Sequence, residues 1–301
     1  MEYEFKLPNG KSFAVKSWGN LAVELSAALA DVKPVIHCWI QDADQDYVKS
    51  LCAAFGLRSL VYTKQGNPGF ERLGVMLGKD ESLLAETARV WTSPRSNPGP
   101  QLGYPACCSE FYCKWLDDPS SATGPDVIAL IFENTSSPRK LPFLLNDAYY
   151  HYSRRGQPSD GDRREAMSRL NAGLDMNVLN VLPWHPCSYR CEASLKAGRK
   201  IWATMLKTAP ALAAAIEPRL ARPVVFWDWD RFAALEGKSG PGSLAYSAIV
   251  PPLSALGAAE SALLKAGDRL KHKSGRSLEV WTGKRKLGEL PGAFLLDFAA
   301  D

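Results

Sequence analysis

The spacing of hydrophobic and polar positions changes twice along the chain. Near the N-terminus, short apolar runs at 3–5 and 12–15 flank the turn-forming segment Pro8-Asn9-Gly10-Lys11, which predicts a β-hairpin. From 34 to 90, apolar runs of strand length alternate with segments of helical spacing. We therefore expect a small α/β unit over residues 1–95.

A segment rich in proline, serine, asparagine and glycine at 93–100 separates this unit from a middle region, 96–222, in which helical spacing dominates. There we expect one helix from 187 to about 206 and another at 211–220. From 223 onward the period changes to two, with strands predicted at 224–229, 244–250 and 269–281. The whole pattern predicts an α+β protein whose third region, 223–301, is rich in β-strand.

Composition narrows the class of protein. Of the 301 residues, 46% are hydrophobic and 23% are charged, which is typical of a globular protein and excludes a disordered or coiled-coil chain. No apolar run reaches the length of about 18 residues that a transmembrane helix requires, and the first residues lack the basic flank of a signal peptide. We expect a cytoplasmic protein with no membrane partner. No phosphate-binding loop or G-x-G-x-x-G motif supports ATP- or NAD-dependent chemistry.

The net charge of +4 is concentrated in one segment. Residues 265–286 contain eight Lys and Arg against two acids, a net +6, so the rest of the chain sums to −2. Lys271, Lys273 and Arg276 fall in a predicted hairpin with Trp281, an arrangement that would allow contact with nucleic-acid phosphates and bases. A basic strand edge more often only prevents aggregation, so nucleic acid is not the favoured partner.

Five of the seven cysteines lie in two short clusters, and each cluster follows a proline. Cys107 and Cys108 form the first cluster with Cys113 nearby, and Cys187 and Cys191 form the second. Proline suits the first turn of a helix, and a spacing of four predicts that Cys187 and Cys191 share one helical face. Helix N-termini lower the pKa of thiols and favour the thiolates that bind soft metals.

Two such helix starts would bring Cys107, Cys108, Cys187 and Cys191 to one metal centre. A [4Fe–4S] cluster is favoured, because two adjacent cysteines strain the coordination of a single zinc ion. With four thiolates the cluster would be structural or transfer electrons, and with three it would leave one iron as a Lewis acid for a small substrate. The alternative is a zinc-stabilised nucleic-acid-binding module that uses the 265–286 hairpin.

Distances between sulfur atoms test these expectations. One shared centre requires the sulfurs of the two clusters to lie within about 7 Å of one another, and the ligands of a single zinc ion to lie within about 4 Å. Cys113 is five residues past Cys108, off that face of the helix, and is a weaker candidate ligand. Cys38 and Cys52 lie in apolar surroundings and are expected in the core.

The cysteine segments also resemble a known pattern. An uncharacterised family of prokaryotic cysteine-motif proteins has similar motifs, Gly-Tyr-Pro-x-Cys-Cys as at 103–108 and His-Pro-Cys-x₃-Cys as at 185–191. The resemblance covers the chain from about 100 to 200. It implies no established activity, so the substrate, the metal and the chemistry stay open.

Several other residues are candidates for catalysis or metal binding. Asp147 and His151 are i, i+4 in a helix predicted over 146–152, where a carboxylate would orient an imidazole, although a surface pair is the simpler interpretation. His185 precedes the second cysteine cluster and is a candidate ligand or proton donor. Asp228 and Asp230 face one side of a predicted strand, and paired carboxylates can hold a metal.

Overall fold

A computed structural model describes residues 2–16, 18–65, 72–93, 96–118, 126–136, 139–149, 178–228, 231–273 and 276–299. These residues form a mixed α+β fold with a large antiparallel sheet in the C-terminal part, which confirms the predicted fold class. The largest buried cluster contains residues from all three predicted regions. The boundaries at 95 and 222 stay a prediction about chain organisation.

The N-terminal part contains the predicted hairpin and a small antiparallel sheet. In chain order its elements are β1 (Glu2–Lys6), β2 (Ser12–Lys16), α1 (Leu21–Leu29), β3 (Val35–Gln41), α2 (Gln45–Phe55), β4 (Arg58–Gln65), β5 (Arg72–Gly78) and α3 (Glu81–Thr92). The sheet has the order β3-β5-β4. Only α1 was not predicted, because residues 21–28 are all buried and leave the helix no polar face to reveal its period.

The rest of the described chain forms a helical middle and a seven-stranded sheet. Its elements are α4 (Ala106–Asp117), α5 (Val127–Glu133), β6 (Leu141–Pro142), α6 (Glu192–Thr208), α7 (Pro210–Leu220), β7 (Val224–Asp228), β8 (Arg231–Gly240), β9 (Ser243–Ala255), α8 (Ala258–Ala266), β10 (Arg269–His272), β11 (Ser277–Thr282), β12 (Arg285–Pro291), β13 (Phe294–Leu296) and β14 (Phe298–Ala299). The sheet has the order β12-β11-β10-β9-β8-β7-β13. No helix in the described ranges combines the length and the apolar character that crossing a bilayer requires.

The helix predicted from residue 187 begins later, at Glu192. Cys191 is its N-cap and Cys187 lies in the preceding loop, so the expectation that these two cysteines share a helical face is wrong. The loop is held by contacts that a helix would break. The Tyr189 N–H, for example, donates to Thr135 Oγ1 at 3.0 Å.

The helix predicted over 146–152 is also wrong where the chain is described. Asn146 and Asp147 follow a single 3₁₀ turn, Phe143–Leu145, and Asn146 has extended backbone angles. The Asn146 side chain donates to the Leu220 carbonyl at 2.7 Å and accepts from the Ala148 N–H at 3.0 Å. The bond from Ala148 is local, and local hydrogen bonds between a side chain and the backbone compete with helix formation.

A buried lysine fixes the turn that leads into α4. Lys33 is fully buried, and its Nζ lies 3.1 Å from Glu24 Oε2 and donates to the Tyr104 hydroxyl at 3.0 Å. Gly103 precedes Tyr104 with a φ of 80°, and a Cβ at this position would collide with the Val32 carbonyl. The start of α4 is therefore held against the N-terminal unit.

The burial of His37 on β3, close to Lys33, can be tested by measuring how stability depends on pH. Burial, together with the charge of Lys33, lowers the pKa of His37 to about 4. The unfolded chain takes up a proton near pH 6.5 and the folded chain does not, so the free energy of unfolding should fall as pH drops from 7 to 4. His37→Gln should retain a contact to Tyr62, 2.8 Å away, and remove on the order of 2 kcal/mol of this pH dependence. Urea titrations at several pH values measure this dependence. The same dependence of the free energy of unfolding on pH in both proteins would contradict the prediction.

Candidate metal centre

Four cysteine side chains converge where α4 and α6 begin. Cys107 and Cys108 lie in the first turn of α4, behind Pro105 at its N-cap. Cys187 comes from the loop before α6, and Cys191 is the N-cap of α6. Two helix N-termini and one loop therefore supply the thiols, although the sequence pattern predicted two helix N-termini alone.

The sulfur atoms are close enough to share one centre. Cys108 Sγ lies 3.6 Å from Cys191 Sγ, and Cys107 Sγ lies 3.7 Å from Cys191 Sγ and 3.9 Å from Cys108 Sγ. With Cys187 included, all four sulfurs lie within 4.8 Å of one another. This confirms the predicted convergence of the two cysteine clusters, and the group could bind a metal ion.

Hydrogen-bond donors surround the sulfurs and stabilise negative charge on them. The Cys187 N–H donates to Cys108 Sγ at 3.3 Å, and Ser194 Oγ lies 3.1 Å from the same sulfur. Ser194 is in turn fixed by Trp184, whose Nε1–H donates to its hydroxyl at 3.1 Å. The positive ends of α4 and α6 add to this effect, since helix N-termini favour anions.

Cys108, Cys187 and Cys191 differ in acidity. A hydrogen bond from the Cys108 thiol, followed by hydrogen bonds from Ser194, lowers the pKa of Cys191 to about 4. The same pairing with Cys191, together with burial, raises the pKa of Cys108. Burial and the charge of Cys191 raise the pKa of Cys187 to about 12. Cys191 is thus the thiol that most readily loses its proton, and a metal that binds Cys108 and Cys187 would have to displace theirs.

The centre is buried on one side and open on the other. Cys108 and Cys191 are buried, with 1% and 8% of their surface exposed, while Cys187 is half-buried and Cys107 is exposed. Metal ions can therefore enter from the side of Cys107 without unfolding of the surrounding core.

A buried aspartate holds both ends of the loop that carries Cys187. Asp147 Oδ2 lies 2.7 Å from His185 Nδ1, and Asp147 Oδ1 accepts a hydrogen bond from the Tyr189 hydroxyl at 2.7 Å. Burial and the Asp147 charge raise the pKa of Tyr189, so its hydroxyl remains a donor. His185 also stacks on Tyr112 of α4, with ring centroids 5.5 Å apart.

This arrangement changes the roles predicted for the neighbouring residues. Asp147 is paired with His185, whereas His151, its predicted partner, lies outside the described residues. His185 is not in the group of four sulfur ligands. Tyr189, Thr135 and Ser194 were missed, because single polar residues in a loop or on a helix carry no signal of their long-range partners.

The remaining candidates lie elsewhere. Cys113 is half-exposed on α4 and outside the four-sulfur group. Cys38 and Cys52 are buried in the main core, as expected. Asp228 forms an exposed ion pair with Arg231 at 3.0 Å, and its predicted partner Asp230 lies outside the described ranges.

Comparison with protein-family models, with curated proteins and with solved structures finds no match to this chain. The function must therefore be argued from the site itself.

Replacing Asp147 tests whether the aspartate positions the Cys187 loop. Asp147→Asn leaves one of its two hydrogen-bonding partners poorly satisfied in a buried site, so we expect the free energy of unfolding to fall by about 1–3 kcal/mol. Metal affinity should fall about 10- to 100-fold, as for other residues that orient metal ligands. Asp228→Asn is the matched control and should change stability by less than about 0.5 kcal/mol. Equal metal affinity in the two variants would show that Asp147 has no positioning role.

Proposed function

We propose that this protein is a metalloprotein whose centre is held by Cys107, Cys108, Cys187 and Cys191. The observation that carries the proposal is the approach of four sulfurs from two segments about 80 residues apart in sequence to within 4.8 Å of one another. Hydrogen bonds lower the pKa of Cys191 and favour its thiolate, and thiolates are ligands for zinc and iron.

The sulfur spacing favours a single tetrahedral ion, and we propose Zn²⁺. A tetrahedral ion with metal–sulfur bonds of about 2.3 Å separates its ligand sulfurs by about 3.8 Å. The three separations among Cys107, Cys108 and Cys191, which are 3.6, 3.7 and 3.9 Å, lie close to this value. The sulfur of Cys187 lies within 4.8 Å of the other three. Four thiolates would complete the coordination of zinc, as in structural sites, and leave no position open for a substrate.

A [4Fe–4S] cluster is the second candidate, and the adjacency of Cys107 and Cys108 favours it. Two neighbouring residues bind different irons of a cluster with less strain than they bind one ion. Because iron atoms would separate the ligands, the sulfurs would have to move apart, and the exposed Cys107 and half-buried Cys187 have room to do so. Such a cluster would transfer electrons or, with an open iron, act on a small substrate.

In the zinc form, the metal would stabilise the fold. It would join α4, the Cys187 loop and α6 at one point. The loop already contacts α4 through the hydrogen bond from the Cys187 N–H to Cys108 Sγ at 3.3 Å and through the stacking of His185 on Tyr112. Metal binding then contributes directly to the free energy of folding. Because such a site needs reduced thiols, we also propose that the protein works in a reducing compartment such as the cytoplasm.

The hairpin at 265–286 is a weaker candidate for nucleic-acid binding than its composition indicates. Lys273 pairs with Glu289 at 2.9 Å, and Arg276 pairs with Glu133. Lys271 stacks over the Trp281 ring with its Nζ 3.7 Å from the ring centroid. These cations are already neutralised or occupied within the protein.

Metal analysis of anaerobically purified protein distinguishes the two centres. We expect about one zinc per chain, no acid-labile sulfide and no visible absorbance, because Zn²⁺ has a filled d shell. Cobalt substitution should then produce the visible bands of a tetrahedral thiolate site. About four irons and four sulfides per chain, with broad visible absorbance, would show that the centre is a [4Fe–4S] cluster and not zinc. A protein that contains neither metal would refute the proposal.

Single cysteine substitutions test which thiols bind. Cys187→Ser and Cys191→Ser should each lose most of the bound metal and lower the melting temperature, because the elements lose their shared ligand. Cys113→Ser is the matched control, since it makes the same substitution at a thiol of α4 that lies outside the four-sulfur group, and it should keep full metal content. Equal metal content in all three variants would contradict the assignment.

A further inference from the structure

The solvent face of α6 is strongly cationic. Lys196, Arg199, Lys200 and Lys207 are all exposed, and Glu192 is the only acid within the helix. The helix therefore carries a net charge of +3, close to the +4 of the whole chain. We call these four side chains the α6 basic face.

The cations of this face are aligned. With 3.6 residues per turn, Lys196, Lys200 and Lys207 project within about 40° of one another, and Arg199 flanks them. At 1.5 Å per residue, the face extends about 16 Å along the helix. Its charges are thus arranged along a line and not scattered around the helix.

The α6 basic face differs from the 265–286 hairpin in the state of its charges. In the hairpin, Lys273 and Lys286 pair with Glu289, and Lys286 also pairs with Glu279. On α6, no salt bridge to the four cations occurs anywhere in the described ranges. The charges of α6 are available to an external anion, whereas four of the eight cations of the hairpin are used internally. These four are Lys271, Lys273, Arg276 and Lys286.

The opposite side of α6 is anchored, so the face is presented on a rigid support. Ser194, Gly198, Ile201 and Met205 are buried. Gly198 lets the helix approach Leu144 closely, since a Cβ there would lie 3.4 Å from the Leu144 Cβ. Cys191, at the N-cap, ties the first turn to the sulfur group.

The surrounding surface indicates which anion this face would bind. Protein interfaces need an apolar centre, but the residue between the cations is Ala203, and the exposed Leu206 lies at the edge of the face. Trp202 is half-buried against Phe143, so no aromatic ring of α6 stands free for base stacking. A line of cations without stacking groups or an apolar centre suits phosphates of a nucleic-acid backbone.

We infer that the α6 basic face is a docking surface for the phosphate backbone of nucleic acid, bound without base specificity. With four phosphate contacts, the slope of log K against log salt for duplex DNA should be about −3.6. Binding should therefore weaken roughly 100-fold between 50 and 200 mM salt.

Two matched double variants test this inference in the full-length, metal-loaded protein. Arg199→Glu/Lys200→Glu changes the α6 face, and Lys284→Glu/Arg285→Glu changes two exposed cations of the hairpin. Both replace one Arg and one Lys, and both lower the net charge by four, from +4 to zero. Fluorescence anisotropy with labelled 20-base-pair RNA and DNA duplexes measures affinity, and metal content and melting temperature confirm folding. If the Glu variant of α6 is unfolded, Arg199→Gln/Lys200→Gln takes its place.

We expect the α6 variant to bind both duplexes at least about tenfold more weakly at low salt, with a flatter salt slope, and the hairpin variant to retain most of the affinity. Equal losses in both variants would show an effect of net charge alone and overturn the assignment. A greater loss of affinity in the hairpin variant would also overturn the assignment, as would a wild-type protein that does not bind either duplex at 50 mM salt. Competition by polyglutamate at equal charge concentration would assign the face to an acidic protein.

Discussion

The buried carboxylate of Asp147 is the constraint on which the site geometry depends. An ionised carboxylate cannot remain inside a protein without partners, and here its two oxygens are satisfied by His185 and Tyr189, which lie two residues before and after Cys187. The loop can adopt no conformation that separates these side chains without leaving a buried charge unpaired. Cys187 is thereby fixed at the midpoint of the loop, opposite the first turn of α4.

A second buried charge fixes the other half of the site. Lys33 and Glu24 form an ion pair inside the core, and such pairs contribute little net stability compared with apolar residues of similar size. Their contribution here is specificity of position. Tyr104 can reach Lys33 only when the turn at Gly103 lies against the N-terminal unit, which aligns the start of α4. The two cysteine segments are thus positioned by separate charge pairs.

The sequence predicted the fold class and the four clustered cysteines because both depend on local signals. Hydrophobic periodicity identified most strands and helices, and proline followed by cysteine marked the segments at 107 and 187. The sequence pattern placed the start of α6 too early. The loop before α6 is held by the hydrogen bond from Tyr189 to Thr135, which joins residues 54 apart. The pairing of Asp147 with His185 spans 38 residues and was likewise invisible. Long-range polar contacts leave no periodic trace in a single sequence.

The separation of the two cysteine segments has a consequence for the unfolded chain. Cys108 and Cys187 are 79 residues apart, so a metal bound to both closes a large loop even when the rest of the chain is unfolded. In a chain-entropy treatment, a cross-link of this span lowers the conformational entropy of the unfolded chain and so raises its free energy by about 4.5 kcal/mol. Because that entropy depends only logarithmically on length, doubling the enclosed segment would change it by about 0.6 kcal/mol. The region between the cysteines can therefore gain or lose residues in evolution with little effect on the cross-link.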